Sequence, residues 1–196
     1  MTTADAQHLR RDVVLVSGMP GAGKSTLAGP LAAELGFALL SKDRIKETLH
    51  DVLSGALRAP GTPADLPWTR SLGAAAMELI WLLAGQATQV VLEANFRPRS
   101  SHERDKITLL AAGGGRLVEV YCRCPAQVAA ARYAARVAHR HPVHVVTSLS
   151  AEFIAEFDQP VGLGELIEVN TLAQADIAAL AGDVRARLAV AGGGCR

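Results

Sequence analysis

The stretch Gly-Met-Pro-Gly-Ala-Gly-Lys-Ser-Thr at residues 18–26 directly follows the apolar run Val-Val-Leu-Val at residues 13–16. It matches the pattern G-x-x-x-x-G-K-[ST], in which a β-strand leads through a glycine-rich loop into a helix. The glycines let the loop turn its backbone N–H groups towards an anion, and the N-terminus of the helix adds positive potential. A glycine-rich turn could match by chance, but the pattern is long and has the expected apolar flank. The stretch therefore predicts a strand–loop–helix unit that binds the phosphates of a nucleotide.

The residue types in this loop suggest a role for each position. Lys24 is expected to neutralise the β- and γ-phosphates of ATP, and the hydroxyl of Ser25 is a suitable ligand for Mg²⁺. ATP and Mg²⁺ are the predicted cofactors, although the loop alone does not distinguish ATP from GTP. The residues predicted to contact the nucleotide are Gly18, Pro20, Gly21, Ala22, Gly23, Lys24, Ser25, Thr26, Arg132 and Thr171.

Apolar strands alternate with amphipathic helices along the rest of the chain, which is typical of a parallel sheet covered on both faces. We predict strands at residues 13–17, 37–41, 90–92, 117–122 and 166–169. We predict helices at 24–35, from 42 to about 53, around 72–83, at 101–112, after Pro125, at 149–157 and around 177–188. The turn formers between residues 54 and 67 predict a loop. The pattern indicates a three-layer α/β/α fold with a five-stranded parallel sheet.

The composition suits one α/β domain, because the chain has 196 residues of which 49% are hydrophobic. We place this domain at residues 10–190, between flexible tails at 1–9 and 191–196. With 20 basic and 19 acidic side chains the formal charge is +1, so no global field favours nucleic acid or a membrane surface. Since no signal core or membrane-length apolar run is evident, we expect a cytoplasmic protein. Cys122, Cys124 and Cys195 are expected to be free thiols.

Asp43 follows the second predicted strand, at the edge of a parallel sheet where ligands bind. A carboxylate there can orient an acceptor hydroxyl and take its proton, so we assign Asp43 as a general base that also contacts the acceptor. The alternative is that Asp43 caps the N-terminus of the following helix. Lys46 lies one helical turn further and can hold the base or an anionic group of the substrate, or be a solvated surface lysine.

Glu93, Asn95 and Arg97 follow the third predicted strand and should lie at the same edge of the sheet. Glu93 is expected to hold Mg²⁺, directly or through water, and Asn95 and Arg97 are assigned to the acceptor site. A helix-capping pair or a loop salt bridge would explain the same residues.

Arg132, Arg136 and Arg140 recur at every fourth position and so form a drifting stripe on the helix after Pro125. Such a stripe can clamp a transferring phosphoryl group, and we assign Arg132 and Arg136 to catalysis and Arg140 to the substrate. The alternative is a solvated helix face. His144 is also assigned to the substrate, since His141 and His144 without a third ligand would make a weak metal site.

Three segments together resemble P-loop kinases that phosphorylate small hydroxyl-bearing acceptors, the group of polynucleotide kinase, chloramphenicol phosphotransferase and zeta toxin. These segments are residues 18–26, Ser-Lys-Asp-Arg-Ile-Lys at 41–46, and Cys-Pro at 124–125 leading to Arg132 and Arg136. The loop Glu-Ala-Asn-Phe-Arg-Pro at 93–98 is similar to the acceptor loop of this group, although its acidic position is often Asp. The resemblance implies a P-loop NTPase fold with a helical lid at about 126–147. It also implies transfer of the γ-phosphate of ATP to a hydroxyl group.

We therefore predict a phosphotransferase that acts on a sugar, antibiotic or nucleoside-like molecule, as a monomer or homodimer, without a nucleic-acid or membrane partner. A polynucleotide 5′-hydroxyl kinase is one alternative, but the balanced charge gives no sign of the basic groove it would need. A second alternative is a nucleotide-dependent switch ATPase, in which the loops at 54–67 and 139–147 move on hydrolysis.

Overall fold

A computed structural model describes residues 10–190, and the predicted tails at 1–9 and 191–196 lie outside the described residues. The strands are β1 (Asp12–Ser17), β2 (Ala38–Ser41), β3 (Gln89–Glu93), β4 (Arg116–Arg123) and β5 (Glu165–Asn170). They form one sheet in the order β2-β3-β1-β4-β5, and every neighbouring pair is parallel. The predicted five-stranded parallel sheet is confirmed.

The helices described within residues 10–190 are α1 (Lys24–Leu35), α2 (Lys42–Leu57), α3 (Leu66–Ala84), α4 (Ser101–Ala111), α5 (Ala126–Ala135), α6 (Ala151–Ala155) and α7 (Ile177–Val190), with a 3₁₀ turn at Val137–His139. None of these helices combines the length and the apolar character that crossing a membrane requires.

The hydrophobic core lies on both faces of the sheet. All residues of β1 are buried, and its successive side chains point to opposite faces. Val14 belongs to a cluster with Leu31 of α1 and Val184 of α7, whereas Val13 belongs to a cluster with Ile80 of α3 and with residues of α4. The sheet is therefore covered by helices on both sides, which confirms the three-layer prediction.

The strand order determines where a ligand can bind. β1 lies between β3 and β4, so the chain turns towards one edge of the sheet after β1 and crosses to the other edge after β3. In parallel sheets this reversal opens a crevice at the carboxyl ends of the strands. The glycine-rich loop that joins β1 to α1 follows the carboxyl end of β1, at this crevice.

α2 is longer than the sequence predicted. We expected a loop from Ser54, but the helix continues to Leu57, and the Arg58 N–H donates to the carbonyl of Ser54 at 3.0 Å. A single glycine within a helix costs only about 1 kcal/mol, so Gly55 does not end α2. The connection before α3 is correspondingly shorter. α3 then begins at a cap in which Asp65 accepts a hydrogen bond from the Trp68 N–H at 2.8 Å.

α5 contains only Arg132 of the three arginines, so the prediction that all three lie on one helix is wrong. The helix ends at Ala135, the Arg136 N–H donates to the carbonyl of Tyr133, and the chain tightens into the 3₁₀ turn. Pro142 disfavours a helical conformation at the residue before it, so a helix could not continue far beyond Arg140. Arg136 and Arg140 therefore project from the segment that follows α5.

Candidate active site

A cavity of about 810 Å³ lies at the carboxyl edge of the sheet. Its wall is formed by the glycine-rich loop, the first turns of α2, the end of β3 and residues from Tyr133 to Val146. The predicted site residues that line it are Pro20, Gly21, Gly23, Lys24, Ser25, Asp43, Lys46, Glu93, Asn95, Arg136, Arg140 and His144. Those placed outside its lining are Gly18, Ala22, Thr26, Arg97, Arg132 and Thr171. One cavity thus contains most residues that the sequence assigned separately to nucleotide, metal and acceptor.

The glycine-rich loop has a backbone that only glycine tolerates well. Gly18, Gly21 and Gly23 have φ angles of 132°, 86° and 91°. A Cβ atom at Gly21 would also overlap the backbone carbonyl of Ala129 in α5, so the loop packs directly against that helix. No side chain caps the N-terminus of α1 at Gly23. The free N–H groups of this first turn therefore give the loop the donors that a phosphate needs.

Lys24 lies inside the loop. Its Nζ atom donates hydrogen bonds to the carbonyl oxygens of Gly18 at 2.9 Å and Met19 at 2.8 Å, and the residue is 6% exposed. Burial lowers the pKa of this ammonium group, and the charges of Glu93 and Asp43 partly oppose that shift. The hydrogen bonds of the Lys24 ammonium group go to backbone carbonyls, which carry only partial charges. A phosphate would give this cation a partner with a full negative charge.

Glu93 connects three elements at the end of β3. Its carboxylate, 4% exposed, accepts a hydrogen bond from Ser25 Oγ at 3.1 Å and another from Ser41 Oγ at 2.5 Å. Carboxylate and hydroxyl oxygens are the ligand types that Mg²⁺ prefers, and here they lie next to the phosphate-binding loop. The residues present therefore fit a magnesium ion, which Ser25 and Glu93 would hold.

Ser41 is a site residue that the sequence reasoning missed. It is the last residue of β2 and is paired in register with Glu93, the last residue of β3. A signal for it was available, because polar residues at the ends of two neighbouring parallel strands meet at one edge of the sheet. The register that makes them direct partners comes only from the structure.

Asp43 is the second residue of α2 and faces the cavity. Ser41 occupies the N-cap position of α2 but makes no side-chain capping hydrogen bond. Within residues 10–190 the Asp43 carboxylate makes none either, so the alternative of a helix cap is not what the structure shows. Burial alone would raise the pKa of this carboxyl group. The positive charges of Lys42, of His144 when protonated, and of Lys24 and Lys46 outweigh that effect and hold its pKa below its usual value. Asp43 is therefore ionised at neutral pH.

The segment after α5 is attached to α2 and α3 by three contacts. His144 Nε2 lies 2.7 Å from Glu47 Oε1, and His141 Nε2 lies 2.9 Å from Asp51 Oδ1. Thr69 Oγ1 of α3 donates to the carbonyl of Val143. The cavity is therefore enclosed on the acceptor side by contacts between residues that are far apart in the sequence.

The three arginines have separate environments. Arg132 Nη2 donates to the carbonyl of Thr171 at 3.0 Å, and the Thr171 side chain lies beside Gly23 of the loop. The guanidinium of Arg140 stacks on the ring of Tyr133 at 4.3 Å and donates to a backbone carbonyl. Arg136 and Arg140 both line the cavity, whereas Arg132 lies outside its lining.

Arg97 is directed away from the cavity. Its guanidinium forms ion pairs with Glu103 at 3.3 Å and Glu156 at 2.9 Å, and it stacks over the ring of Phe157 at 5.5 Å. These contacts connect the loop after β3 to the region of α6. Asn95, two residues earlier, does line the cavity.

Comparisons with known proteins agree with this fold. Residues 13–160, more than half of the chain, match the family model described as AAA domain. A candidate kinase from Chloroflexus aurantiacus is similar in structure, with 29% sequence identity, a TM-score of 0.76 and coverage of 91% of this chain and 98% of that one. A search of the curated proteins found no match.

More distant solved structures share the fold. An APS kinase from Mycobacterium tuberculosis in complex with AMPPNP and APS is 19% identical, with a TM-score of 0.55 and coverage of 92% of this chain and 98% of that one. A shikimate kinase from Acinetobacter baumannii in complex with shikimate is 17% identical, with a TM-score of 0.52 and coverage of 90% and 91%. The predicted resemblance to the P-loop phosphotransferase group is confirmed, and the chain belongs to the AAA domain family.

Proposed function

We propose that this protein is an ATP-dependent kinase that transfers the γ-phosphate to a hydroxyl of a small molecule such as a sugar, an antibiotic or a nucleoside-like compound. The observation that carries the proposal is the single cavity in which Lys24, Asp43 and Glu93 lie together. Its volume of about 810 Å³ leaves room for an acceptor beside the triphosphate. The similarity to a candidate kinase from Chloroflexus aurantiacus supports the same reading.

The donor side of the cavity would position the nucleotide. ATP·Mg²⁺, when bound, supplies the phosphoryl group and a divalent cation that neutralises its charge. The N–H groups of the loop and of the first turn of α1 would hold the phosphate oxygens, and Lys24 would give them its positive charge. Ser25 and Glu93 would hold the metal, and Ser41 would fix the orientation of the Glu93 carboxylate through its 2.5 Å hydrogen bond.

Asp43 would act on the acceptor. The acceptor oxygen forms a bond to the γ-phosphorus while the bond from that phosphorus to the bridging oxygen breaks, and the electron pair departs with ADP. Asp43 orients the hydroxyl and receives its proton as the bond forms. Because the surrounding cations keep its pKa low, Asp43 is a weak base, and orientation is its larger contribution.

The arginines would stabilise charge on the transferred group. Arg136 reaches the cavity directly, whereas Arg132 would act at the nucleotide side, next to Thr171 and Gly23. Residues 126–147 would form the lid, whose base is α5 packed on the glycine-rich loop. Arg140 and His144 would complete the acceptor side of this lid.

The test is an acceptor screen that measures ADP formation and then detects a phosphorylated product by mass spectrometry. In the Asp43→Asn variant we expect ATP affinity within about twofold of wild type and a kcat lower by about 10²–10⁴-fold. Asp105→Asn, a change of the same kind at an exposed position of α4, serves as the control. Full activity of Asp43→Asn would remove Asp43 from the mechanism. ADP release that no acceptor stimulates would support a nucleotide-dependent switch instead.

A further inference from the structure

Lys46 is a largely buried residue, and among residues 10–190 its ammonium group has no anionic partner. It lies on α2 one turn after Asp43, lines the cavity and is 7% exposed. Within residues 10–190, its ammonium group forms no ion pair and no side-chain hydrogen bond. A buried ammonium group is costly unless an anion or several acceptors compensate its charge.

The surroundings of Lys46 add positive charge rather than removing it. Burial and the charges of Lys42 and Arg140 lower its pKa to about 8, against the opposing effects of Asp43 and Glu47. Glu47 is already engaged by His144 at 2.7 Å. Asp43 is therefore the one nearby carboxylate, among the residues described, that is not committed to another side chain.

Lys42 and Arg136 also line this cavity, and within residues 10–190 neither forms an ion pair. The transferred phosphoryl group would compensate Arg136, but a neutral sugar or a neutral antibiotic would leave Lys42 and Lys46 without a compensating anion. Electrostatic complementarity therefore favours a ligand that brings negative charge to the acceptor side of the cavity.

We infer that the acceptor carries, besides its hydroxyl group, a carboxylate or phosphate that Lys46 holds with Lys42 and Arg140. This inference rests on the proposed kinase function. Side chains three residues apart on a helix have Cβ atoms about 5–6 Å apart. With the hydroxyl at Asp43 and the anionic group at Lys46, the acceptor is a compact hydroxy acid or phosphorylated alcohol.

Binding is measured first, by calorimetry on the full chain saturated with AMPPNP and Mg²⁺, so that added phosphates cannot occupy the glycine-rich loop. The probes are glycerol, D-glycerate and glycerol 3-phosphate, and in parallel D-glucose, D-gluconate and glucose 6-phosphate. At least one anionic probe should bind 10-fold or more tightly than its neutral counterpart. Comparing the affinities of the carboxylate and the phosphate probes then shows which anion the site prefers.

Variants assign the binding to Lys46. Lys46→Met should reduce the affinity for the anionic probe to that of the neutral one, while AMPPNP binding stays within twofold of wild type. Lys46→Arg should restore at least part of the affinity, because it keeps the charge. Lys106→Met, at a partly exposed position of α4 outside the cavity, should change neither. Anionic binding that survives in Lys46→Met overturns the inference, as does equal binding of all neutral and anionic probes.

Turnover separates this inference from the proposed kinase function. ADP formation with anionic but not neutral probes supports both. Anion binding that depends on Lys46 without any phosphorylated product supports the anion site and contradicts the kinase. Phosphorylation of glycerol or glucose with a kcat/KM equal to that of the anionic relatives supports the kinase and overturns the anionic acceptor.

Discussion

Replacing Lys46 with Met should stabilise the ligand-free protein, although it should also weaken acceptor binding. The native structure holds the ammonium group of Lys46 in a site that is 7% exposed and without a carboxylate partner among residues 10–190. Met has a similar unbranched side chain, so it can fill the same volume without a charge. Functional sites commonly retain groups that reduce stability in this way.

The size of the effect follows from the pKa of Lys46, which is lowered from 10.5 to about 8. At about 1.4 kcal/mol per pH unit, the native state disfavours the charged form by about 3 kcal/mol. Water that reaches the cavity reduces this value, and we expect a gain of about 1–3 kcal/mol in the free energy of unfolding at pH 7. For a chain of this size, each kcal/mol raises the melting temperature by about 2–4 °C.

The stability gained by Lys46→Met over wild type should depend on pH in a definite direction. Below pH 8 the ammonium group is protonated in both the native and the unfolded chain, so the whole penalty is present. As pH rises from 8 towards 10.5, the native protein releases the proton that the unfolded chain still holds, and the stability of wild type rises. The difference between Lys46→Met and wild type should therefore be largest below pH 8 and should shrink towards pH 10.

Urea unfolding at pH 7 and pH 9.5, followed by circular dichroism, measures this difference, with Lys106→Met as the matched control. A Lys46→Met variant that is less stable than wild type at pH 7, with an unchanged urea dependence, would refute the reasoning. That result would mean that Lys46 has a favourable native partner. The need for an anionic ligand would then lose its physical basis.

Three other substitutions test separate parts of the structure. Lys24→Ala should reduce kcat by at least about 10²-fold, measured as ADP formation, because the loop loses its only side-chain charge on the phosphates. Arg132→Ala should lower kcat through the loss of the contact with Thr171, and an unchanged kcat would make its assignment to catalysis wrong. Glu119→Leu should lower the free energy of unfolding, measured in urea, by at least about 3 kcal/mol. The fully buried carboxylate of Glu119 accepts hydrogen bonds from Ser17 Oγ and from the N–H groups of residues 161 and 162, and the substitution leaves these donors without an acceptor. Glu168→Leu, at an exposed carboxylate, is its control and should change stability by less than about 1 kcal/mol.

The donor side of the site could be predicted because its determinants are local in the sequence. Lys24 contacts the carbonyls of Gly18 and Met19, only six and five residues away. Glu93 and Asp43 could be placed because a polar residue after an apolar parallel strand must emerge at the carboxyl edge of the sheet. The contact of Glu93 with Ser25 needed no knowledge of side-chain packing beyond the strand order.

The positions of the arginines could not be predicted in the same way. A four-residue spacing predicts a stripe only while the helix continues, and α5 ends at Ala135. Arg97 follows a strand end as Asn95 does, yet it turns away to Glu103 and Glu156, and Glu156 is 59 residues further along the chain. When a long side chain has several acceptors within reach, the tertiary structure determines which of them it contacts. The sequence pattern therefore does not predict the partner of Arg97.

The acceptor side depends on contacts of much longer range than the donor side. His144 reaches Glu47 across 97 residues, and His141 reaches Asp51 across 90. The hydrogen bonds of Lys24, by contrast, stay within the glycine-rich loop. The backbone of this loop tolerates little change, because a Cβ atom at Gly21 would overlap α5. Substitutions in residues 137–146 can therefore alter the shape and charge of the acceptor pocket while the phosphate-binding loop stays intact. This separation gives a physical route by which the acceptor specificity of the proposed kinase can change without loss of its nucleotide site.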